Sequence, residues 1–395
     1  MGVFKTIKLH IERESKIKKQ CVTSIPNFET YSAAKKTIVF MSNALPKHDE
    51  DSGSNRLKEI ILLYKDLGFN CIICVENIFE RDKYVSFYSD LGIIIFLETN
   101  LHKNYLIFLK SIPHIDYIWY NGPKNFSKYI SRLSECFPGS KSIFDMVDIH
   151  FLRYKRAIEI EPYRISLRKK YYQYFKIETK LAKKADVVIA ISEVEKEIMS
   201  QYLKENQILL ISNIHYCKID ESQIAPFEKR SDILFIGSSH EPNIDAIHYL
   251  YNEIMPKVWL KLPNLKVNVI GNVKNKIHSI SHPNFKLLGF VENIESYFIN
   301  SKLMVAPLRY GAGVKGKIGQ SFEYFLPVVT TSIGAEGMYL ENKKNAFISE
   351  TADELSKQII TLYNDKEMWS KLSVNSTESL YPFSKEKLKS VLKEI

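Results

Sequence analysis

The stretch from residue 307 to residue 338 restricts the possible folds more than any other part of the chain. Together with the apolar segment before it, this stretch predicts a strand over 302–306, a glycine-rich loop, a helix of roughly ten residues and a strand over 327–331. Strands that alternate with helices in this way build parallel α/β sheets. In such a unit, the N-terminus of the helix presents free N–H groups and a positive dipole end to an anion.

The loop carries Gly311, Gly313 and Gly316, with Lys315 and Lys317 beside them. Glycines allow a backbone to approach a ligand closely, and the lysines add positive charge. The loop therefore predicts a phosphate site, although a tight turn with two solvated lysines has the same pattern. It is not a P-loop, because position 318 is an isoleucine and offers no hydroxyl for a magnesium ion.

A chain of 395 residues exceeds what a single core supports, so we expect two domains of roughly 200 residues each. Residues 1–35 are polar and basic and are interpreted as an extension. The first α/β pattern has predicted strands at 37–42, 70–75, 91–97, 117–120, 142–144 and 187–191. The second has strands at 232–237, 265–271, 286–290, 302–306 and 327–331, with a helix over 243–262.

This alternation predicts an α/β protein with two Rossmann-like, doubly wound domains that face each other across a cleft. The N-terminal domain is placed at 36–225 and the C-terminal domain at 226–395, whose last helix can return to the N-terminal domain. Ligands of parallel sheets bind at the carboxyl ends of the strands, which places the binding site between the domains.

The net charge of +10 is concentrated between residues 153 and 184, where tyrosines lie among many lysines and arginines. Such a stretch can dock on an anionic membrane surface, and it can equally be a solvated helix face. Nucleic acid is the weakest interpretation, because no zinc finger, helix-turn-helix or RNP motif accompanies the stretch.

Five scattered cysteines indicate a reducing compartment and no disulfide framework. Cys71 and Cys74 fall in a predicted strand and would point to opposite faces of its sheet, which favours core packing over metal or redox chemistry. No apolar run is long enough to span a membrane and no secretory signal is present, so we expect a cytoplasmic protein.

Several long segments resemble a known family. FIGSSHEPNIDAIHYLYNEIMPKVWLKLPNLKVNVIG, LLGFVENIESYFINSKLMVAPLRYGAGVKGKIGQ and LPVVTTSIGAEGM resemble the donor-binding domain of GT-B glycosyltransferases of family 4, also called glycosyl transferases group 1. LPKHDEDSGSNR, FDMVDIHFLRYKR and KKADVVIAISEVEK resemble its N-terminal half. The resemblance covers residues 36–340, in the order of the family.

The resemblance implies a retaining, metal-independent hexosyl transfer, without a cofactor, from a nucleotide diphosphate sugar to a glycan or lipid-linked acceptor. It further implies a role in bacterial surface polysaccharide or glycolipid synthesis, with the protein peripheral on the inner membrane face. The implied contacts to the donor come from both domains: the loop backbone at Gly313, Val314, Lys315 and Gly316, the strand end at Gly237 and Ser238, and the turn at Gly53 and Ser54.

This chain departs from the family pattern at two glutamate positions, which hold Ala312 and Gln320. Gln320 can still bind ribose hydroxyls, whereas Ala312 cannot replace a carboxylate at the sugar. Glu336 is our candidate for that role, with Glu323 as the alternative. The family's basic pair after the first donor-domain strand is also missing, since Ser239, His240 and Asn243 lie there; Arg309, Lys315 and Lys317 are expected to supply the phosphate charge.

His150 lies where the family often has a histidine facing the donor sugar, although a lone histidine at a strand end can be structural. Arg153 can bind an acceptor phosphate or pair with Asp148. The run from Asp49 to Asp51 resembles a D-x-D metal motif by accident, because the surrounding match is to a metal-free fold.

Two other functions remain open at this point. A degenerate, non-catalytic module that binds nucleotide sugars or glycans and supports a partner enzyme would explain Ala312. A glycosyl phosphorylase is the other.

Overall fold

The computed structural model describes residues 11–12, 15, 25–75, 82–98, 104–277 and 279–395. The predicted extension over 1–35 lies outside these residues except at 11–12, 15 and 25–35. The strands of the first domain are β1 Thr37–Ser42, β2 Asn70–Val75, β3 Ile94–Leu97, β4 Tyr117–Asn121, β5 Lys141–Asp145, β6 Val187–Ala190 and β7 Ile208–Leu210. The strands of the second domain are β8 Ser231–Ile236, β9 Val267–Ile270, β10 Phe285–Gly289, β11 Ser301–Ala306, β12 Val328–Thr330 and β13 Phe347–Ile348.

These strands form two separate sheets, of 7 strands in the order β3-β2-β1-β4-β5-β6-β7 and of 6 strands in the order β10-β9-β8-β11-β12-β13. All the recorded strand pairs are parallel. The prediction of an α/β protein with two Rossmann-like domains is therefore confirmed. In each sheet the first strand of the domain is central and the order reverses beside it, which is where doubly wound folds bind ligands.

Helices connect the strands in both domains. In the first they are α1 Ser52–Asp66, α2 Asp82–Asp90, α3 Tyr105–Lys110, α4 Pro123–Cys136, α5 His150–Ile160, α6 Ile165–Phe175 and α7 Glu193–Ser200. In the second they are α8 Glu241–Tyr249, α9 Met255–Trp259, α10 Glu295–Asn300, α11 Gly316–Glu323, α12 Ser332–Ala335, α13 Ala352–Asn364, α14 Lys366–Val374, α15 Ser376–Leu380 and α16 Lys385–Leu392.

Both faces of each sheet are buried. In β1, Val39 and Met41 join one core cluster while Ile38 and Phe40 join the cluster on the other face. Cys71 and Cys74 divide between the same two clusters, and burial raises the pKa of the Cys71 thiol to about 12. The prediction that these cysteines are core residues is confirmed.

The last helix packs on the first domain. Leu388 and Leu392 of α16 belong to a core cluster of the first sheet, and Lys385 lies 3.1 Å from the Glu59 carboxylate of α1. The chain thus crosses back at its end and ties the two domains together.

Three differences from the predicted elements have local causes. β3 begins at Ile94 because Gly92 adopts a φ of +69°, which ends the preceding turn. The helix predicted over 243–262 is divided into α8, a π-helical turn Leu250–Ile254 and α9, and Pro256 at its end lacks the N–H for a regular bond. β7 and β13 have 3 and 2 residues, which is too short for a periodic signal.

Candidate active site

A cleft of about 710 Å³ lies between the carboxyl ends of the two sheets. Both domains line it. The first domain contributes the turn that begins α1, the loop after β5 and the segment after β7. The second contributes the ends of β8 and β9 and the glycine loop before α11. The cleft lies where the topology of the two sheets places a ligand.

The N-termini of α1 and α11 meet across this cleft. The Asp51 side chain caps α1 by accepting from the Ser54 N–H at 2.8 Å, whereas α11 begins at Gly316 with no side-chain cap. A Cβ on Gly316 would lie 2.4 Å from Cβ of Ser52, so the two helix ends nearly touch. Uncapped N–H groups and the positive end of the helix dipole make the start of α11 suitable for an anion.

The glycines of the second domain also allow the domains to approach. A Cβ on Gly313 would lie 2.9 Å from Cβ of Asp148, and one on Gly319 would lie 2.3 Å from the His215 ring. Gly337 similarly faces Ser192, and both Gly313 and Gly337 have a φ near +70°. The glycine pattern that predicts a phosphate loop therefore also determines how closely the domains pack.

Two lysines of this loop lie inside the cleft without a carboxylate in ion-pair contact among the described residues. Lys315 is buried, and its Nζ donates to the Gly313 carbonyl. Lys317 donates to Oδ1 of Asn243 and lies 4.4 Å over the Phe235 ring. Burial lowers the pKa of Lys315 to about 8, and burial with the neighbouring Lys315 lowers the pKa of Lys317 to about 7. An arriving anion would stabilise both ammonium groups.

On the opposite side, His150 begins α5 within a network of paired charges. Its Nδ1 lies 2.9 Å from Oδ1 of Asp148 and 2.9 Å from Oε1 of Glu178. Arg153 holds the second oxygen of Asp148 at 3.0 Å. The Glu178 carboxylate also accepts from the His150 and Phe151 N–H groups, both at 3.0 Å, and so caps α5.

The same network changes the protonation of its members. Burial by itself lowers the pKa of His150, but Asp148 and Glu178 raise it to about 9. Burial opposes the ionised Asp148, yet Arg153 and His150 hold its pKa well below its usual range. His150 is therefore an imidazolium at neutral pH, with Nδ1 engaged and Nε2 as the nitrogen available to a ligand.

Most of the predicted site residues line the cleft. They are Gly53, His150, Arg153, Gly237, Ser238, Gly313, Val314, Lys315, Gly316, Lys317 and Gln320. Ser54 lies beside the cleft, and its N–H and hydroxyl both bond to the carboxylate of Asp51.

The structure separates Arg309 from the predicted phosphate site. Its guanidinium forms a bidentate pair with Asp245, with Nε 3.0 Å from Oδ2, and lies over the Tyr249 ring. It does not line the cleft among the described residues, and its expected role in supplying phosphate charge stays a prediction. Arg309 lies in the loop after β11, and its side chain packs against α8.

Glu336 is also displaced from its predicted role. Arg156 of α5 donates two hydrogen bonds, of 2.6 and 2.9 Å, to its carboxylate. Arg156 also donates to the Gly311 carbonyl at 2.8 Å. This ion pair joins the two domains, and the described lining of the cleft does not include Glu336. Its assignment to the donor sugar stays a prediction, and it requires the carboxylate to leave Arg156.

The alternative residue, Glu323, does line the cleft. Its Oε1 lies 2.8 Å from Nδ1 of His215, and both side chains are buried. His215 belongs to the segment after β7, so this pair also crosses between the domains. Nothing in the local sequence around either residue indicates the contact.

Sequence reasoning missed Glu178 and did not assign Asp148 and His240 to the site. Asp148 and Glu178 are central to the network described above, and His240 at the start of α8 lies beside them in the cleft. Burial, and next the charge of Arg153, lower the pKa of His240, which keeps its imidazole neutral. The pairing of Arg153 with Asp148, one of the two alternatives left open by the sequence, is present in the structure. Glu178, by contrast, enters from a π-helical turn after α6.

The acidic run near the start of α1 makes other contacts. Asp49 pairs with Lys83 and accepts from the Tyr84 hydroxyl at 2.8 Å, while Asp51 caps the helix. Within the described residues, no three His, Cys, Asp or Glu side chains are grouped so that they could hold a metal ion.

The basic stretch over 153–184 forms the α5–α6 hairpin and the turns that follow it. Its tip exposes Ile160, Tyr163 and Ile165, and Tyr172 is exposed further along α6. None of the helices in the described part of the chain combines the length and apolar character needed to cross a membrane.

Solved structures share this architecture over nearly the whole chain. S. aureus TarM, in a complex with fondaparinux, alpha-GlcNAc-glycerol and UDP, matches with a TM-score of 0.71 at 12% identity, covering 91% of this chain and 99% of that one. Anabaena HepE with UDP and glucose matches with a TM-score of 0.68 at 15% identity, over 91% and 98%. The pneumococcal O-GlcNAc transferase GtfA with UDP and GlcNAc has a TM-score of 0.67 at 10% identity, also over 91% and 98%. The chain thus has the GT-B fold.

The sequence comparisons match part of the chain to known proteins. Residues 230–365, most of the second domain, match the model of glycosyl transferases group 1. A Klebsiella pneumoniae protein described as an uncharacterized 44.6 kDa protein in the cps region is 26% identical over 211 residues. That match spans 49% of this chain and about half of the relative, 52%. The match of the second domain to this family model and the GT-B fold of the whole chain both agree with the resemblance seen in the sequence.

Proposed function

We propose that this protein transfers a sugar from a nucleotide diphosphate sugar to a glycan or lipid-linked acceptor, with the donor diphosphate at the start of α11. One observation carries the proposal: Lys315 and Lys317 lie in the cleft beside an uncapped helix N-terminus, and the described residues provide neither with a carboxylate ion pair. A diphosphate supplies the negative charge that this place lacks.

In the proposed reaction, the bond between the anomeric carbon and the diphosphate oxygen breaks, and a bond from that carbon to an acceptor hydroxyl oxygen forms. The hydroxyl proton leaves with the departing nucleoside diphosphate, and nothing is oxidised or reduced. Fixed lysines and helix N–H groups stabilise the charge on the leaving diphosphate as it develops. We propose that the transfer is retaining and independent of a metal ion, as the family resemblance implies.

The comparisons support a uridine nucleotide as the donor carrier. The structures of TarM, HepE and GtfA named above each hold UDP. Gln320 lies in the described lining of the cleft, on the helix whose N-terminus faces the diphosphate, and its amide can both donate to and accept from ribose hydroxyls.

We place the reaction in surface polysaccharide or glycolipid synthesis at the inner membrane face. The cps region of the Klebsiella relative supports the polysaccharide role. The exposed Tyr163 and Ile165 at the tip of the basic α5–α6 hairpin, with exposed Tyr172 further along α6, support docking on anionic lipid. Vesicle sedimentation with the basic residues of 164–184 neutralised tests this docking, and unchanged binding contradicts it.

Titration calorimetry with UDP tests the donor site. We expect wild-type protein to bind UDP and Lys317→Ala to bind it on the order of tenfold more weakly, because a charge-assisted contact is lost. Lys286→Ala is the control, since Lys286 is an exposed lysine of β10 in the same domain. Equal affinities for the three proteins, or no binding of UDP or GDP by the wild type, contradict the proposal.

A non-catalytic nucleotide-sugar module is the second candidate, and Ala312 favours it. The residue lines the cleft at a position where the family often has a glutamate. The two candidate replacements, Glu336 and Glu323, are paired with Arg156 and His215 respectively. Incubation with a panel of UDP- and GDP-sugars separates the two functions. Slow hydrolysis or transfer of any donor supports the enzyme, whereas binding without turnover across the panel supports the module.

A further inference from the structure

A second cavity, of about 550 Å³, adjoins the donor cleft on the side of the first domain. The two cavities share His150, Arg153 and His240, so a molecule in the second would meet a donor sugar at these residues. The smaller cavity extends away from the glycine loop, between the start of α4 and the α5–α6 hairpin.

The charges in this cavity favour an anion. Lys124 and Lys170 line it, and the described residues place no carboxylate in ion-pair contact with either lysine. Lys170 lies 5.1 Å from the Tyr154 ring centre, on the aromatic surface that Tyr154 and Tyr174 form. The one carboxylate in the described lining, Glu241, is paired with Arg164 at 2.9 Å.

The start of α4 contributes backbone donors to the same place. The helix has 14 residues, and its N-cap, Gly122, provides no side-chain cap. Its first N–H groups, at Lys124 and Asn125, have no partner within the helix. They lie beside the Lys124 side chain at the cavity wall, where a phosphate would accept from them.

Asn125 adds an independent sign of a missing ligand. Its side chain is 3% exposed and lines the cavity, and its Nδ2 donates to the Asn121 carbonyl at 2.6 Å. The buried Oδ1 has no hydrogen-bond partner in the part of the chain that the structure describes. A buried acceptor of this kind favours a ligand with a hydroxyl group to donate.

We propose that the smaller cavity is the acceptor site and that the acceptor is a phosphate-bearing sugar or polyol. Lys124, Lys170 and the start of α4 hold its phosphate, Asn125 accepts from a hydroxyl, and the reacting hydroxyl points toward His150 and the donor. This rests on the proposed glycosyl transfer and defines the class of its acceptor. The phosphate comes either from a lipid-linked headgroup or from a water-soluble phosphosugar.

Calorimetric titrations of UDP-saturated protein test the proposal with three probes: methyl α-glucoside, glucose 1-phosphate and octyl glucosyl phosphate. We expect the two phosphates to bind on the order of tenfold more tightly than the neutral glucoside. The double variant Lys124→Gln/Lys170→Gln should lose this preference, while Lys169→Gln, an exposed neighbour on α6, should keep it. Tighter binding of the octyl probe assigns the lipid-linked source, and equal binding of both phosphates assigns the soluble one.

Equal binding of neutral and phosphorylated probes overturns the proposal, as does a double variant that retains the preference. UDP affinity is measured first in every protein. If wild-type protein fails to bind UDP, the donor proposal has failed, and the titrations are then repeated without UDP. If all variants bind UDP normally, a failure belongs to the acceptor site alone. Lys124 is exposed and Lys170 partly exposed, so neither substitution removes core packing.

Discussion

The two sides of the cleft manage charge in opposite ways. On the side of the second domain, the cations Lys315 and Lys317 lie in the cleft without a paired carboxylate among the described residues, and the pKa of each is lowered. On the side of the first domain, His150 and Arg153 are paired with Asp148 and Glu178. The lysines of the second domain are therefore suited to bind an anion. The charges of the first domain already balance one another, and their fixed side chains can orient a donor and an acceptor.

Removing a charge partner from the network of the first domain should produce the largest loss of stability. Glu178 is fully buried and accepts from two N–H groups as well as from His150. Glu178→Ala leaves the His150 cation without this partner, and we expect a loss of about 3–5 kcal/mol in the free energy of unfolding. Urea unfolding measures it, with Glu159→Ala, on the exposed face of α5, as the control. A loss below about 1 kcal/mol would show that the network contributes little.

A larger side chain on α11, on the side of the second domain, should produce the next largest loss of stability. Gly319→Ala places a Cβ against the His215 ring, which is buried and paired with Glu323. We expect a destabilisation of about 1–3 kcal/mol, despite the higher helix propensity of alanine. Adding His215→Ala should recover part of that loss by making room. Gly139→Ala, with no atom near the new Cβ, is the control; an equal change in both single variants contradicts the interpretation.

The unpaired lysine predicts a pH dependence of donor binding. The pKa of Lys317 is about 7 in the free protein, lowered from 10.5, so the amine loses its proton as pH rises through 7. A bound diphosphate favours the ammonium, so binding above pH 7 takes up a proton and UDP affinity falls by at most about tenfold per pH unit. Calorimetry in buffers of different ionisation enthalpy detects the proton. Lys317→Ala should remove the uptake near pH 7 and leave only that of Lys315, whose pKa is about 8. Proton release by the wild type would contradict the assignment.

The smallest effect on stability and UDP affinity is expected for Arg309, which is not part of the described lining of the cleft. Arg309→Ala removes a partly exposed pair with Asp245, and we expect a change of about 0.5 kcal/mol in stability and no change in UDP affinity. The same calorimetric titration used for Lys317→Ala measures it. A marked loss of UDP affinity would return Arg309 to the phosphate site and weaken the contrast between the two sides.

Much of the fold could be predicted from the sequence because its signals are local. Buried parallel strands appear as short apolar runs, and most of the predicted runs overlap the observed strands. The prediction failed for β7 and β13, which are short edge strands, and at the division of the helix between α8 and α9 by a π-helical turn. These features depend on neighbouring chain segments more than on periodicity.

The candidate site shows the same difference between features set by local sequence and features set by distant segments. The glycine loop, Gln320 and His150 line the cleft, as expected of a strand end followed by a helix start, which specifies its own geometry. Arg309 and Glu336 are instead paired with residues distant in sequence, Asp245 and Arg156 respectively, and the sequence did not indicate these pairs. No local pattern indicates which cation will reach a ligand and which will meet a carboxylate first.

The sequence by itself thus determined two α/β domains and a loop suited to phosphate, since both follow from short-range periodicity and backbone freedom. Only the tertiary structure decided which charges remain unpaired in the cleft, because pairing depends on how closely the domains approach. That approach rests on glycines whose Cβ would collide with Ser52, Asp148 or His215. A side chain's distance from its partner across the interface is a property of the packed molecule, and it sets both the pKa and the availability of each group.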